Sequence, residues 1–100
     1  MSDITFDFLS DSTEETTTRF VTFVGEESLR RFDLAITTTG RFYGKKLVTD
    51  LQSGKTAILG PDDLEEEGYL EYVYKLSEDE AKALYAFLDQ ILGVVHFSDI

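Results

Sequence analysis

The sequence contains no cysteine, no tryptophan and a single proline among its 100 residues. Without cysteine, the chain can form no disulfide, no thiolate metal site and no thiol nucleophile. The longest apolar run, residues 91–97, is interrupted by Gly93 and His96 and is too short to cross a bilayer. The first residues, Met1-Ser2-Asp3, are acidic where a signal peptide would be basic. These absences predict a soluble, cytoplasmic protein.

Basic residues are also scarce, because nine Lys and Arg face twenty Asp and Glu for a net charge of −11. The imbalance is uneven along the chain. Residues 1–18 carry five acids and no base, residues 19–60 carry seven bases and four acids, and residues 61–100 carry eleven acids and two bases. Such a molecule repels nucleic acids and anionic membranes at long range. Contact with either is therefore not expected, except through a local patch in the middle third.

The remaining composition is that of one folded domain. Apolar residues make up 42% of the chain and thirteen per cent are aromatic, which is enough for a core without disulfides. Residues 1–17 are mostly small, polar and acidic, and they predict a flexible N-terminal arm before a single domain at 18–100. Within the arm, Ile4, Phe6 and Phe8 alternate with polar residues, which is compatible with a short edge strand or a docking tail.

After the arm, β-branched and aromatic residues alternate with polar ones and are punctuated by glycine. The pattern predicts four strands joined by tight turns, at residues 19–24, 31–38, 42–51 and 56–59. Gly44 is expected to kink the third strand. Residues 69–76 alternate again and predict a fifth strand, although a helix also fits that segment. Consecutive short strands with tight turns favour an antiparallel meander.

The last element is predicted to be an amphipathic helix. Ser77 and Glu80 have the spacing of a capping box, in which each side chain accepts from a backbone N–H of the first turn. Gly93 is a suitable residue to end the helix. One apolar stripe follows helical spacing: Ala81, Leu84, Tyr85, Leu88, Ile91 and Leu92. The predicted fold class is therefore α+β, a single antiparallel meander of four to five strands with this C-terminal helix on one face.

Several strings in the sequence resemble a family of short, acidic, uncharacterised proteins from Gram-positive Firmicutes, catalogued as a domain of unknown function. The resemblance covers about residues 18–92. It implies a cytosolic bacterial setting and no particular activity. The strings that carry it are Arg31-Phe32-Asp33-Leu34-Ala35-Ile36, Arg41-Phe42-Tyr43-Gly44-Lys45, Gln52-Ser53-Gly54, Ile58-Leu59-Gly60-Pro61-Asp62-Asp63-Leu64-Glu65-Glu66 and Gly68-Tyr69-Leu70.

The most distinctive local feature is an acidic segment flanked by tyrosines. Carboxylates in such a cluster can present to a basic protein or hold Mg²⁺ or Ca²⁺, but their spacing lacks the alternating ligands of a calcium loop. A solvated or protein-contacting surface is the favoured interpretation, and a divalent-ion site or metal-dependent enzyme is the alternative. The candidate surface comprises Asp62, Asp63, Glu65, Glu66, Glu67, Tyr69, Glu71 and Tyr72.

A second candidate patch combines cations with an aromatic ring: Arg41, Tyr43, Lys45 and Lys46. Such a patch could bind an anion or single-stranded nucleic acid, although the surrounding acids oppose it. No catalytic residue is predicted, because His96 is the sole histidine and is expected to pack, and no glycine-rich phosphate loop occurs. The sequence thus predicts no cofactor and a non-enzymatic interaction module. Its partner is expected to be another protein, with a homo-oligomer as a further possibility.

Overall fold

A four-stranded antiparallel sheet forms one layer of the molecule, and helices form the other. The computed structural model describes residues 5–92. Each strand pairs with the next along the chain, in the order β1-β2-β3-β4. The strands are β1 Thr17–Val24, β2 Arg31–Thr38, β3 Lys46–Asp50 and β4 Lys55–Leu59. The helices are α1 Pro61–Leu64, α2 Tyr69–Tyr74 and α3 Glu78–Leu92. The predicted α+β class, with a four-stranded meander and a C-terminal helix, is confirmed.

Strand β2 shows why the sheet has one apolar face. Its alternation places Phe32, Leu34 and Ile36 in the core and leaves the residues between them on the opposite face. The register joins Leu34 to Val21 of β1 and to Asp50 of β3, so the buried faces of the strands coincide. A shift of one residue would expose this apolar row, and the hydrophobic pattern therefore fixes the register.

Helix α3 covers the apolar face, as predicted from its spacing. Its first turn has the predicted capping box: the Ser77 N–H donates to Glu80 Oε1 at 2.9 Å, and the Glu80 N–H donates to Ser77 Oγ at 3.2 Å. The helix also contributes Phe87, whose ring stacks on Phe23 of β1 at 4.9 Å between centroids. Four stripe residues are buried: Ala81, Leu84, Leu88 and Leu92. Tyr85 was expected in this stripe but is 42% exposed, because it lies at its margin.

The predicted fifth strand is wrong, because residues 69–74 form helix α2. Leu70 and Tyr74 are buried while Tyr72 is 73% exposed, so the buried positions repeat every four residues and not every two. The backbones of Gly68 and Lys75 are left-handed and delimit the helix. The Tyr74 hydroxyl donates to the Val48 carbonyl at 2.7 Å in the core. This tertiary bond helps to select the helix where local alternation allowed both states.

The third strand begins later than predicted, at Lys46 and not at Phe42. Residues 40–42 form a 3-10 turn, which Thr39 caps by accepting the Arg41 N–H with its hydroxyl at 3.3 Å. Tyr43 and Gly44 then adopt positive φ angles of 53° and 90°, which are incompatible with a continuous strand. Gly44 therefore belongs to the connection before β3 and does not kink a strand.

The segment before β1 has no regular secondary structure over residues 5–16. Phe6 and Phe8 contact each other at 5.4 Å between ring centroids and form no strand, while Ile4 lies outside the described residues. Gly93 and His96 also lie outside them. Within residues 5–92, no helix is long and apolar enough to cross a membrane.

Candidate functional site

The acidic segment begins with two aspartates that are already paired. Pro61 opens α1, and the Asp63 carboxylate accepts the Gly60 N–H at 2.8 Å. Asp63 also lies 3.1 Å from Lys45 Nζ, and Asp62 lies 3.7 Å from the same atom. The hydrogen bond to Asp63 raises the pKa of Lys45. Both aspartates therefore stabilise the start of α1 and its contact with the loop before β3.

The glutamates that follow are free to face solvent. Glu65, Glu66 and Glu67 are all exposed in the connection from α1 to α2. Gly68, at φ 80°, then turns the chain so that α2 can return across the molecule. This turn brings Glu66 and Glu67 near Glu71 of α2 and along the side of α3.

The α1–α2 connection and α3 enclose an open groove of about 490 Å³, here called the acidic groove. Leu64, Leu70 and Ala81 provide an apolar floor and are buried members of the core. The rim carries four glutamates and one lysine, together with the exposed Tyr85. The rim residues are Glu66, Glu67, Glu71, Glu78 and Lys82. The groove thus combines an apolar surface with net negative charge.

The structure divides the predicted candidate surface into separate parts. Glu66, Glu67 and Glu71 line the acidic groove, whereas Glu65 does not. Tyr69 is half-buried against the core. Tyr72 is exposed but lies outside the groove lining, and its ring is 5.0 Å from Lys75 Nζ. Together with the two paired aspartates, these positions distribute the eight residues among the groove, its exposed surroundings, the margin of the core and the ion pairs with Lys45.

The predicted basic patch is also subdivided by its contacts. Arg41 Nη1 lies 2.7 Å from a Glu14 carboxylate oxygen, and Lys45 is held by the two aspartates of α1. Lys46 Nζ donates to the Thr38 hydroxyl at 2.9 Å. The Tyr43 side chain is 99% exposed, and the backbone of Tyr43 has a left-handed conformation. Two of the three cations are thus compensated by acids of the same chain.

Sequence reasoning missed the contribution of α3 to the candidate site. Glu78, Lys82 and Tyr85 complete the acidic groove, although they lie outside the acidic segment. Helical spacing could have indicated them, because Lys82 follows Glu78 by four residues and Tyr85 follows Lys82 by three. Residues at such spacings lie on one face of a helix. Only the packing of α3 against the turn at Gly68 shows that this face meets the acidic segment.

In the part of the chain that the structure describes, the acidic side chains do not converge as metal ligands. Among residues 5–92, no group of three or more His, Asp or Glu side chains is placed to hold a metal ion. The rim glutamates of the acidic groove are spread along an open surface and do not surround a single point.

Together, the fold and groove define a small α+β domain with an acid-rimmed apolar surface. A family model described as SAV0927-like matches residues 9–90, and the chain belongs to this family of uncharacterised proteins. No curated protein matches the chain.

Proposed function

We propose that this domain is a non-enzymatic protein-interaction module whose acidic groove binds a basic, amphipathic segment of another protein. The observation that carries the proposal is the combination at one place of an apolar floor and a rim of four glutamates with a single lysine. An apolar residue of the partner would cover Leu64 and Leu70. Basic residues beside it would face Glu66, Glu67, Glu71 and Glu78.

The binding free energy of such a contact is limited because the rim carboxylates are exposed to solvent. Solvent-exposed ion pairs contribute about 0.2–1 kcal/mol each, so four of them supply roughly 1–4 kcal/mol. Apolar contact must supply the rest of the binding free energy, and most of it falls to the exposed ring of Tyr85, because Leu64 and Leu70 are already buried. Binding is therefore expected to weaken with salt without vanishing, because screening acts on the rim and not on the floor.

A bacterial, cytoplasmic setting forms part of this proposal. It is supported by the absence of cysteine, by the acidic composition and by the resemblance noted in the sequence. A highly acidic surface remains soluble and keeps non-specific contact with nucleic acid low. Within such a setting, the groove would select basic segments that also carry apolar residues.

The test compares two amide-substituted variants of equal net charge. The groove variant changes Glu66, Glu67, Glu71 and Glu78 to Gln. The matched control neutralises four exposed acids outside the groove: Asp7→Asn, Asp11→Asn, Glu15→Gln and Asp89→Asn. The probes are a synthetic lysine–leucine amphipathic helix and a lysine–serine peptide of the same charge, each titrated by calorimetry at low and high salt.

Wild type and control variant are expected to bind the lysine–leucine peptide alike, and the groove variant about tenfold or more weakly. The lysine–serine peptide should bind weakly to all three proteins because it cannot cover the floor. Equal weakening in both variants would show that total charge, and not the groove, attracts the peptide. That result would contradict the proposal.

A further inference from the structure

In the described part of the chain, strand β1 forms one edge of the sheet, and the backbone groups on its outer side have no strand partner. The Gly25 N–H donates to the Arg30 carbonyl at 3.0 Å, continuing the register of β1 with β2. In an antiparallel pair, every second residue of a strand exchanges backbone hydrogen bonds with the neighbouring strand. The residues between them point their N–H and C=O groups to the other side. The outward N–H and C=O groups are therefore those of Thr18, Phe20, Thr22 and Val24. Among residues 5–92, no strand pairs with this edge.

The edge has few of the features that usually prevent strand pairing, and its one charged residue is Arg19. It is eight residues long and contains neither proline nor lysine. The preceding arm is held toward β2, because Glu14 contacts Arg41 and Thr39 beyond the end of that strand. The opposite edge differs, since β4 has five residues and α1 and α2 pack beside it.

We propose that a second copy of this chain pairs antiparallel with β1, joining the two four-stranded sheets into one. A two-fold axis at Val21 places Thr18 opposite Val24 and Phe20 opposite Thr22 in both directions. Every outward backbone group of the strand then finds a partner in the other copy. An axis at Thr22 would instead set Thr18 against Glu26, beyond the strand end, and is disfavoured.

Charge complementarity on the α3 side supports a second copy as the occupant. In the proposed register, Arg19 of one copy lies opposite Phe23 of the other. Phe23 lines an open groove of about 400 Å³ between β1 and α3, and three acids against one lysine give its rim a net negative charge: Glu26, Glu27, Asp79 and Lys82. The guanidinium of each copy would thus face the acidic rim of the other, once on each side of the two-fold axis.

The opposite face of the strand supplies apolar contact. Phe20 is 71% exposed and Val24 is 56% exposed, and the pairing would cover both. The two Phe20 rings would be diagonal neighbours, within the reach of aromatic side chains. Strand β1 carries no acid, so no carboxylates meet along the paired strands, and the acidic rim of each copy faces Arg19 of the other. The remaining repulsion between copies is long-range, and association should strengthen as salt screens it.

The test uses the full chain in sedimentation equilibrium from micromolar to millimolar concentration, at low and high salt. We expect a monomer–dimer equilibrium that shifts toward dimer in high salt. Amide exchange measured by NMR over the same series should show protection of Thr18, Phe20, Thr22 and Val24 that rises with concentration. No residue of strand β1 lines the acidic groove, although Lys82 of α3 lines both that groove and the one beside β1. Protection along the β1 edge is therefore read out separately from peptide binding in the acidic groove.

Two matched proline variants locate the contact. Thr22→Pro removes an outward N–H of β1 and the side-chain hydrogen bond from Thr22 to Asp33. Thr56→Pro removes an outward N–H of β4 and the side-chain hydrogen bond between Thr56 and Thr49. The Thr56 N–H points outward because the bond from Leu51 to Asp33 sets the alternation across β3 and β4. Thr22→Pro should weaken dimerisation about tenfold or more, and Thr56→Pro should leave it unchanged.

Three results would overturn the inference: a monomer throughout the series, equal effects of the two proline variants, or edge protection independent of concentration. The last would mean that the edge is paired within the chain. If Thr22→Pro does not fold, Arg19→Glu decides, because it sets like charges against each other at both ends of the contact. Unchanged dimerisation in folded Arg19→Glu would also refute the proposed register.

Discussion

Asp50 is the buried charge on which the stability of the sheet should depend most sharply. It ends β3, is 1% exposed and accepts three hydrogen bonds. The donors are Arg30 Nη2 at 2.9 Å, the Gln52 N–H at 3.1 Å and the Ser53 hydroxyl at 3.1 Å. It therefore ties the β3–β4 turn to the start of β2. Asp50→Asn keeps the shape of the side chain and removes its charge.

The magnitude follows from these contacts. A hydrogen bond to a charged group contributes about 1.5–3 kcal/mol, and breaking a buried ion pair costs about 3–5 kcal/mol. The Arg30 side chain is 23% exposed, and Glu80 lies 3.9 Å away, so part of its charge stays compensated. The new amide oxygen can still accept from Gln52. We therefore expect a loss of about 3 kcal/mol in the free energy of unfolding, at the lower end of the range for a broken pair.

Urea unfolding followed by circular dichroism at neutral pH measures this loss. Asp11→Asn is the control, because it makes the same chemical change at an exposed position outside any helix or strand and should cost under about 0.5 kcal/mol. Arg30→Met added to Asp50→Asn should recover part of the stability, since it removes a guanidinium that only Glu80 would still partly compensate. A loss below about 1 kcal/mol for Asp50→Asn would refute the reasoning.

Two further predictions concern the core and its polar contacts. Burial raises the pKa of Tyr74, so the folded state favours the neutral hydroxyl. The contribution of this hydroxyl to the free energy of unfolding is therefore complete below the ordinary pKa of 10.0 and is lost as pH rises above that value. Tyr74→Phe should lower the free energy of unfolding by about 1 kcal/mol at neutral pH and reduce the loss of stability at alkaline pH. Urea unfolding across alkaline pH measures both effects. A parallel decrease in the stability of wild type and variant would contradict the prediction. Leu88→Ala, at a fully buried site, should cost about 2–5 kcal/mol, against about 1 kcal/mol for Ser77→Ala at the cap. Equally small losses in thermal melts would mean that α3 does not pack on the sheet.

Much of the fold follows from local pattern because each signal is complete within a few residues. The alternation in β2 separates a buried face from an exposed one, and the capping box at Ser77 and Glu80 closes within one turn. Residues 69–74 show where local pattern fails. Leu70 and Tyr74 lie four positions apart. This spacing puts both side chains on one face of a strand, where the period is two residues, and also on one face of a helix, where four residues make about one turn.

The sequence by itself determined the acidic character of the candidate site but neither its full set of residues nor its geometry. It identified the run of acids, because charge is a property of each residue whatever the fold. Tertiary structure decided which acids remain available: Lys45 pairs with Asp62 and Asp63, while the turn at Gly68 brings Glu66 beside α3. Such pairings join residues that are far apart in the chain, and their distances depend on the packing of helices on the sheet. For that reason the acidic groove and the outward-facing edge of β1 became visible only in three dimensions.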